Sequence, residues 1–507
     1  MRDNSGVEIS GLWRVALLLI LACGALCSQD FEQAWHGDRL TLRVRASAVG
    51  NLTWQLDTLA GHSNTRPKDY EDLWHKDLAW NAEDAHRLAQ WSALYDRYRH
   101  RATKSRRVRS PYPQNYARFY GDSVGRDYSF RIAALNAPDL EALRKSYQQL
   151  CGRACADGFL TVLQHFWPRF SEWWRQEGLP TATMMIPQIV SRAADAGIGA
   201  LLEAGMRVTG AELPAHPDVA LDIAVHPKKY LTNYTATVME SHVLTEVVDD
   251  PEVGGPRLPL VIHELTHHYY DFAPRGEHAR LVDRFITRPE PWSMAAYSVL
   301  NEVLATAVQL LAEKSLRPAA DYAAFIQKDD NVYFDPFIAR ISRAAAPLVA
   351  EWMEAKKNIF DDGFVDAYLR VVTTALGPLS DSPRFLLSSR VLISGPAGQH
   401  AKDELVQNVR GIVGQEEWKD LQASPHLSGV VFVTEADLKG LEDKRKVLPA
   451  AILAEVQSAA RAHTAFAFAW QRSPKAWIYV LFGQDEKQLL EVTKRFVLSD
   501  TPLTGFR

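Results

Sequence analysis

Between Val261 and Asp271 the chain reads VIHELTHHYYD, which sets His263, Glu264 and His267 in the order HExxH, followed by His268 and Asp271. Helical residues four apart share a face about one turn from each other, so His263 and His267 can close on a single cation. Glu264 lies beside them, where a carboxylate can take a proton from water at the metal. Zinc is the ion that this chemistry implies. The motif follows an apolar run, Leu258 to Ile262, and continues into aromatic positions, as a buried amphipathic helix would.

A catalytic zinc takes three protein ligands and keeps one position open for water. The extended metzincin motif would need Gly at position 270 and His at position 273, where the chain has Tyr270 and Ala273. Glu302 is the better third ligand, in LNEVLATAV on a strongly apolar helix, 35 residues beyond His267. An ionised carboxylate facing a core is costly unless it is paired or metal-bound. Asn301, Ala305 and Thr306 beside it are compact enough to let two helices approach. Asp271, one turn past His267, suits a role in orienting an imidazole. His268 points away from the shared face, towards packing or surface.

These residues resemble a family. HELTHHYYD is similar to the HELTHxxxD of thermolysin-like enzymes, and a second helix bearing NExxA completes the pattern of the gluzincin metallopeptidases. The resemblance covers about Thr235 to Thr306. It implies zinc ligands at His263, His267 and Glu302, Glu264 as general base, and hydrolysis of peptide bonds in a peptide or protein substrate. It also implies an edge strand, for which TATVMESHVLTEVV stands, that binds an extended substrate by main-chain hydrogen bonds. Tyr333 and Tyr368 are candidate donors to the oxyanion of such a reaction. The family has an Asp one turn after its glutamate ligand, where this chain has Thr306, and the chain carries no GAMEN-like aminopeptidase motif. Two other readings keep the metal: a non-catalytic, metal-stabilised binding or scaffold protein, and a zinc hydrolase of non-peptide amides.

The elements that must position these residues follow from periodicity. LTLRVRASAV alternates as a strand does, and WNAEDAHRLAQWSALYDRYRHRAT, APDLEALRKSYQQL, FLTVLQHFWPRFSEWWRQEG and IPQIVSRAADAGIGALLEAGMRV repeat apolar residues at helical spacing. LDIAVHP and TATVMESHVLTEVV read as two strands before the His-bearing helix. SMAAYSVLNEVLATAVQLLAEK, PFIARISRAAAPLVAEWMEAKK and FVDAYLRVVTTAL are helices after it. Beyond PLSDSP, the strands RVLISG, GVVFVT, AFAFAWQ and KAWIYVLFG alternate with helices. The expected fold is α+β: a mainly helical gluzincin-like metallopeptidase domain with a small β-sheet, plus a C-terminal α/β domain. The expected boundaries are a signal peptide at 1–27, a mainly helical region at 31–210, the catalytic core at 211–380 and an accessory domain at 384–507.

Composition sets the compartment and the partners. A formal net charge of -4 over 507 residues gives no reason to expect a nucleic-acid partner. The run VALLLILAC after Arg14 is too short to span a bilayer and suits a secretory signal, so the chain is expected to be exported: periplasmic, outer-membrane-anchored or secreted. Ile20, Leu21 and Ala22 before Cys23 resemble a lipobox, which would attach a lipid at Cys23 and with it a membrane; the alternative is ordinary cleavage between Ala22 and Ser28. Cys151 and Cys155 then form a disulfide or stay as two thiols. The basic run from Arg97 to Arg109 reads as a solvated helix end, and ISGPAGQH as a tight turn and not a phosphate cradle. NLT at Asn51 and NYT at Asn233 fit the glycosylation sequon.

Overall fold

The structure is a computed structural model that describes residues 30–63, 68–102, 128–195, 197–212, 216–226, 236–239, 241–247, 258–386, 390–393, 396–408, 426, 428–444, 448–499, 501, 503 and 505–506. The expected signal with Cys23, the basic residues beyond Ala102, Asn233 and the centre of ISGPAGQH lie outside them. The class is α+β, with helices predominating around two five-stranded mixed sheets, and the chain divides into two compact units.

In the first unit, β1 (Phe31–His36) and β2 (Thr41–Ala46) pair antiparallel, and β2 turns Leu42, Val44 and Ala46 inward, as a period of two requires. Strand character stops at Ser47, whose hydroxyl accepts from the Gly50 amide and caps α1 (Ala48–Leu59). This helix is buried on nearly every side, polar residues included. Asn51 donates to the Ser47 and Ile223 carbonyls, each at 2.9 Å, and accepts from the Val225 amide at 2.7 Å. Asn51, which fits the glycosylation sequon, is therefore a fully bonded core position.

Helices α2 (Lys68–Lys76), α3 (Ala82–Ala102), α4 (Ser129–Leu135), α5 (Leu140–Cys151), α6 (Arg153–Trp173) and most of α7 (Leu179–Asp195) complete this unit. Gly152, at φ +90°, separates α5 from α6, and a Cys151–Cys155 disulfide with a Cα–Cα distance of 5.8 Å spans the corner. Strand β3 (Asp218–Val225) runs parallel to β2 and to β5 (His242–Val247), and β4 (Ala236–Met239) lies antiparallel to β5 at the edge. TATVMESHVLTEVV is thus a pair of strands, with only its first half at the edge. The expected 211–380 segment contributes to both units: its strands complete the first unit's sheet, and its helices belong to the second.

The second unit begins with α8 (Ile198–Val208), entered through Gly197 at φ +67°. It continues with α9 (Leu258–Asp271), α10 (Arg275–Thr287), α11 (Ser293–Leu316), α12 (Ala319–Ile326), α13 (Asp329–Val332), α14 (Pro336–Glu354) and α15 (Phe364–Leu376). Helix α11 is long and apolar enough to cross a membrane by composition, yet most of it is buried within the unit, and it packs against α9 and α14. It is the core helix on which the rest of these helices are assembled.

The last part of this unit is an α/β layer with strand order β10-β8-β9-β7-β6, where β6 is Arg390–Ile393, β7 Gly429–Thr434, β8 Ala465–Ser473, β9 Ala476–Gly483 and β10 Gly505–Phe506. Strands β6, β7 and β9 are parallel. Helices α16 (Pro396–Asn408) and α18 (Glu486–Val497) cover one face through Leu405, Leu489 and Phe496, and α17 (Ala450–Ala462) covers the other through Leu453 and Val456. With both faces covered, GVVFVT is buried at every position, which explains its unbroken apolar run. The turn between β8 and β9 sends Lys475 into the loop before α11. Its ammonium donates to the Arg288 carbonyl, to the Glu290 carbonyl at 2.9 Å and to Ser293 Oγ at 3.0 Å. Three donors meet three acceptors, and burial lowers the pKa of this amine.

Candidate metal centre

The centre is built from α9 and α11, which lie side by side. Helix α9 opens on Leu258 and Pro259, where a proline needs no amide partner, and buries Val261, Ile262, Leu265 and Tyr269. That burial sets the rotation of the helix and brings His263 and His267 to one face, with ring centroids 4.7 Å apart and planes nearly perpendicular. Their Nε2 atoms are 3.0 Å apart. Glu302 reaches in from α11, its Oε2 lying 3.6 Å from His263 Nε2 and 3.4 Å from His267 Nε2.

All three donor atoms fall within 4.8 Å of one another, and among the described residues no other group of three such side chains converges in this way. Two imidazole nitrogens and a carboxylate aimed at one point form a donor set for a divalent cation. The protonation behaviour of His267 agrees. Burial disfavours its charged form, but the charge and hydrogen bond of Glu302, the charge of Glu264 and the Asn301 amide oxygen outweigh it and hold the pKa at about 9. The pocket therefore favours positive charge, supplied by a proton or by a metal.

Neighbouring groups fix the ligands in different ways. His267 Nδ1 meets Asn301 Oδ1 at 3.1 Å, which leaves Nε2 for the metal. Tyr333, from the short segment between α13 and α14, donates its hydroxyl to Glu302 Oε2 at 2.8 Å and lays its ring over His263, centroids 6.2 Å apart and planes 24° apart. His263 Nδ1 is buried without a hydrogen-bond partner among the described residues, and the Tyr333 ring packs against that imidazole. Glu264 is half-buried on α9 and close enough to raise the pKa of His267.

The structure thus brings together His263, His267 and Glu302, as expected from the sequence, with Glu264 alongside. His268 does face elsewhere: it is buried against Phe272 and Tyr269, and burial lowers its pKa to about 4. Tyr368 belongs to the core, where its hydroxyl donates to the Ala296 carbonyl at 3.1 Å and its pKa is raised by burial. The orienting role considered for Asp271 is filled at His267 by Asn301, which the sequence reading valued only for its size. Its position directly before the glutamate was the available signal. Of the two candidate oxyanion donors, only Tyr333 lies at the centre, and nothing in the sequence separated it from Tyr368.

Comparison with protein-family models, with curated proteins and with solved structures finds no match for this chain.

Proposed function

We propose that the chain is an exported, zinc-dependent metallopeptidase of gluzincin type. The observation that carries the proposal is the convergence of His263, His267 and Glu302 from two helices, with a carboxylate, Glu264, beside them. A purely structural metal site has no need of that fourth group. Zinc, when bound, supplies a Lewis acid for the scissile carbonyl and makes a nearby water more acidic.

The chain's own residues do the rest. Asn301 holds His267 in the tautomer that keeps Nε2 for the metal. Glu264 accepts the proton of the attacking water and passes it to the leaving amine. The Tyr333 hydroxyl, which donates to Glu302 in this structure, is within reach of the centre, and by turning its proton to the substrate carbonyl it stabilises the negative charge that develops there. Export by a signal at 1–27, ending either in lipid attachment at Cys23 or in ordinary cleavage between Ala22 and Ser28, belongs to the same proposal.

The test is a pair of variants. Purified protein should hold one zinc per chain, and Glu302→Ala should lose it. Glu264→Gln should keep the zinc and cut peptide turnover at least 100-fold, the scale expected for losing a general base. Full turnover by Glu264→Gln, or zinc content unchanged in Glu302→Ala, would defeat the proposal.

A further inference from the structure

Tyr333, the donor at the metal centre, stands on a segment too short to hold itself in place. Helix α13 (Asp329–Val332) is a single turn, and isolated helices of fewer than about twelve residues are marginal in water. Its N-cap, Lys328, makes no side-chain capping bond. The turn leads directly into Tyr333, where the backbone is already extended, at φ -160° and ψ 149°. Whatever fixes this turn therefore fixes the tyrosine.

Asp329 is tied at both its carbonyl and its carboxylate. The carbonyl accepts from the Tyr333 amide at 2.9 Å and closes the turn. The carboxylate reaches across to α14, where one oxygen receives Arg343 at 2.8 Å and the other receives Arg340 at 3.2 Å. Residues three apart share a helix face, so the two guanidinium groups make one seat for the carboxylate. At the far end of the segment, Asp335 accepts from the Phe337 amide at 2.9 Å and caps α14.

Helix α14 packs against α11, the helix that carries Glu302, so these connections close a ring. From α11 the path runs through α14, Arg343 and Asp329 to Tyr333, and the Tyr333 hydroxyl returns it to Glu302 at 2.8 Å. The ion pair itself adds little stability, since 27% of the Asp329 side chain and 31% of the Arg343 side chain are exposed. Its effect is on placement, and an error of about 1 Å at a reacting group costs about a hundredfold in rate.

We infer that Asp329 is a positioning residue for the proposed hydrolysis: seated on Arg340 and Arg343, it sets where the Tyr333 hydroxyl meets the substrate carbonyl. It acts through Tyr333 and not on the substrate itself. This inference rests on the metallopeptidase reading and extends it to the residue that places the donor.

A double-mutant cycle on the full, zinc-loaded chain separates this role from general support of the fold. Tyr333→Phe should lower kcat for peptide cleavage about a hundredfold, the scale of one lost oxyanion donor. Asp329→Ala should lower kcat about tenfold with KM nearly unchanged, as a displacement of less than 1 Å would. Asp329→Asn keeps one acceptor for Arg343 and should fall between Asp329→Ala and the wild type. In the Tyr333→Phe background, Asp329→Ala should change kcat by less than about twofold. A phosphinic peptide, whose tetrahedral oxygens stand where the oxyanion forms, gives a readout apart from turnover: its affinity by calorimetry should follow the same pattern, at equal zinc content. A tenfold loss that persists in the Tyr333→Phe background, zinc lost from Asp329→Ala, or wild-type turnover in Asp329→Ala overturns the inference alone. If the wild type neither cuts peptides nor binds the phosphinic peptide, the metallopeptidase reading falls and takes the inference with it.

Discussion

The three ligands are held by unlike means, and the difference sets what each neighbour is worth. His267 depends on the hydrogen bond it donates to Asn301, whereas His263 depends on packing under Tyr333. Asn301→Ala should weaken zinc binding about ten- to a hundredfold, as loss of a group orienting a ligand does, with the helical circular dichroism unchanged. Competition against a chromophoric chelator measures it, and unchanged affinity would count against the assignment. A second residue-level effect lies away from the centre. Burial holds His278 near pKa 4 despite its bond to the Tyr270 carbonyl, below the ordinary value of 6.5. Between pH 6.5 and 4 the unfolded chain binds a proton there that the native chain does not, so stability falls as the pH drops through this window and levels off below it. The full loss is about 3 kcal/mol. His278→Gln should flatten that part of the curve of urea midpoint against pH; an unchanged slope would refute the account.

Legibility from sequence differed among the elements for physical reasons. Helices α9 and α11 were readable because their chemistry is written against an apolar background: an acid at Glu302 stands out where everything around it is buried. Helix α1 was not, because periodicity detects a helix with one wet face, and α1 has none. Asn51 and Asp57 look like surface residues until their partners are known. The parallel pairing of β2 with β3, whose partners such as Thr41 and Asp218 lie far apart in sequence, leaves no local trace either. Neither does the division of TATVMESHVLTEVV into β4 and β5, since both halves are equally rich in strand-forming residues. The cysteine pair was legible only as a choice between two states, and the disulfide across the α5–α6 corner carries a modest expectation. A loop of so few residues removes little chain entropy, so the Cys151→Ser, Cys155→Ser double variant should lose about 2 kcal/mol in chemical unfolding. A loss much larger than that would mean that the bridge does more than restrict the unfolded chain.

At the scale of the second unit, the helical part and the α/β layer share their polar bookkeeping. The loop before α11 exposes the carbonyls of Arg288 and Glu290, and the ammonium that satisfies them arrives from the β8–β9 turn. Lys475→Met keeps the aliphatic stem but leaves those acceptors unpaired, which should cost about 1–3 kcal/mol. Urea unfolding of the full chain reads this directly, and a neutral result would mean that water replaces the lysine. The same contact predicts that a chain shortened to end at Leu386 has a lower thermal midpoint than the full chain, even though every metal ligand is retained.

That lysine also bears on how such a molecule can change over time. A module joined only by a linker can be exchanged or dropped without consulting its neighbour. The α/β layer here is tied in more closely, because the helix that carries Glu302 begins on a loop whose acceptors are filled by a lysine of the β8–β9 turn. A helical part that stood alone would have to meet the carbonyls of Arg288 and Glu290 with water or with a side chain of its own.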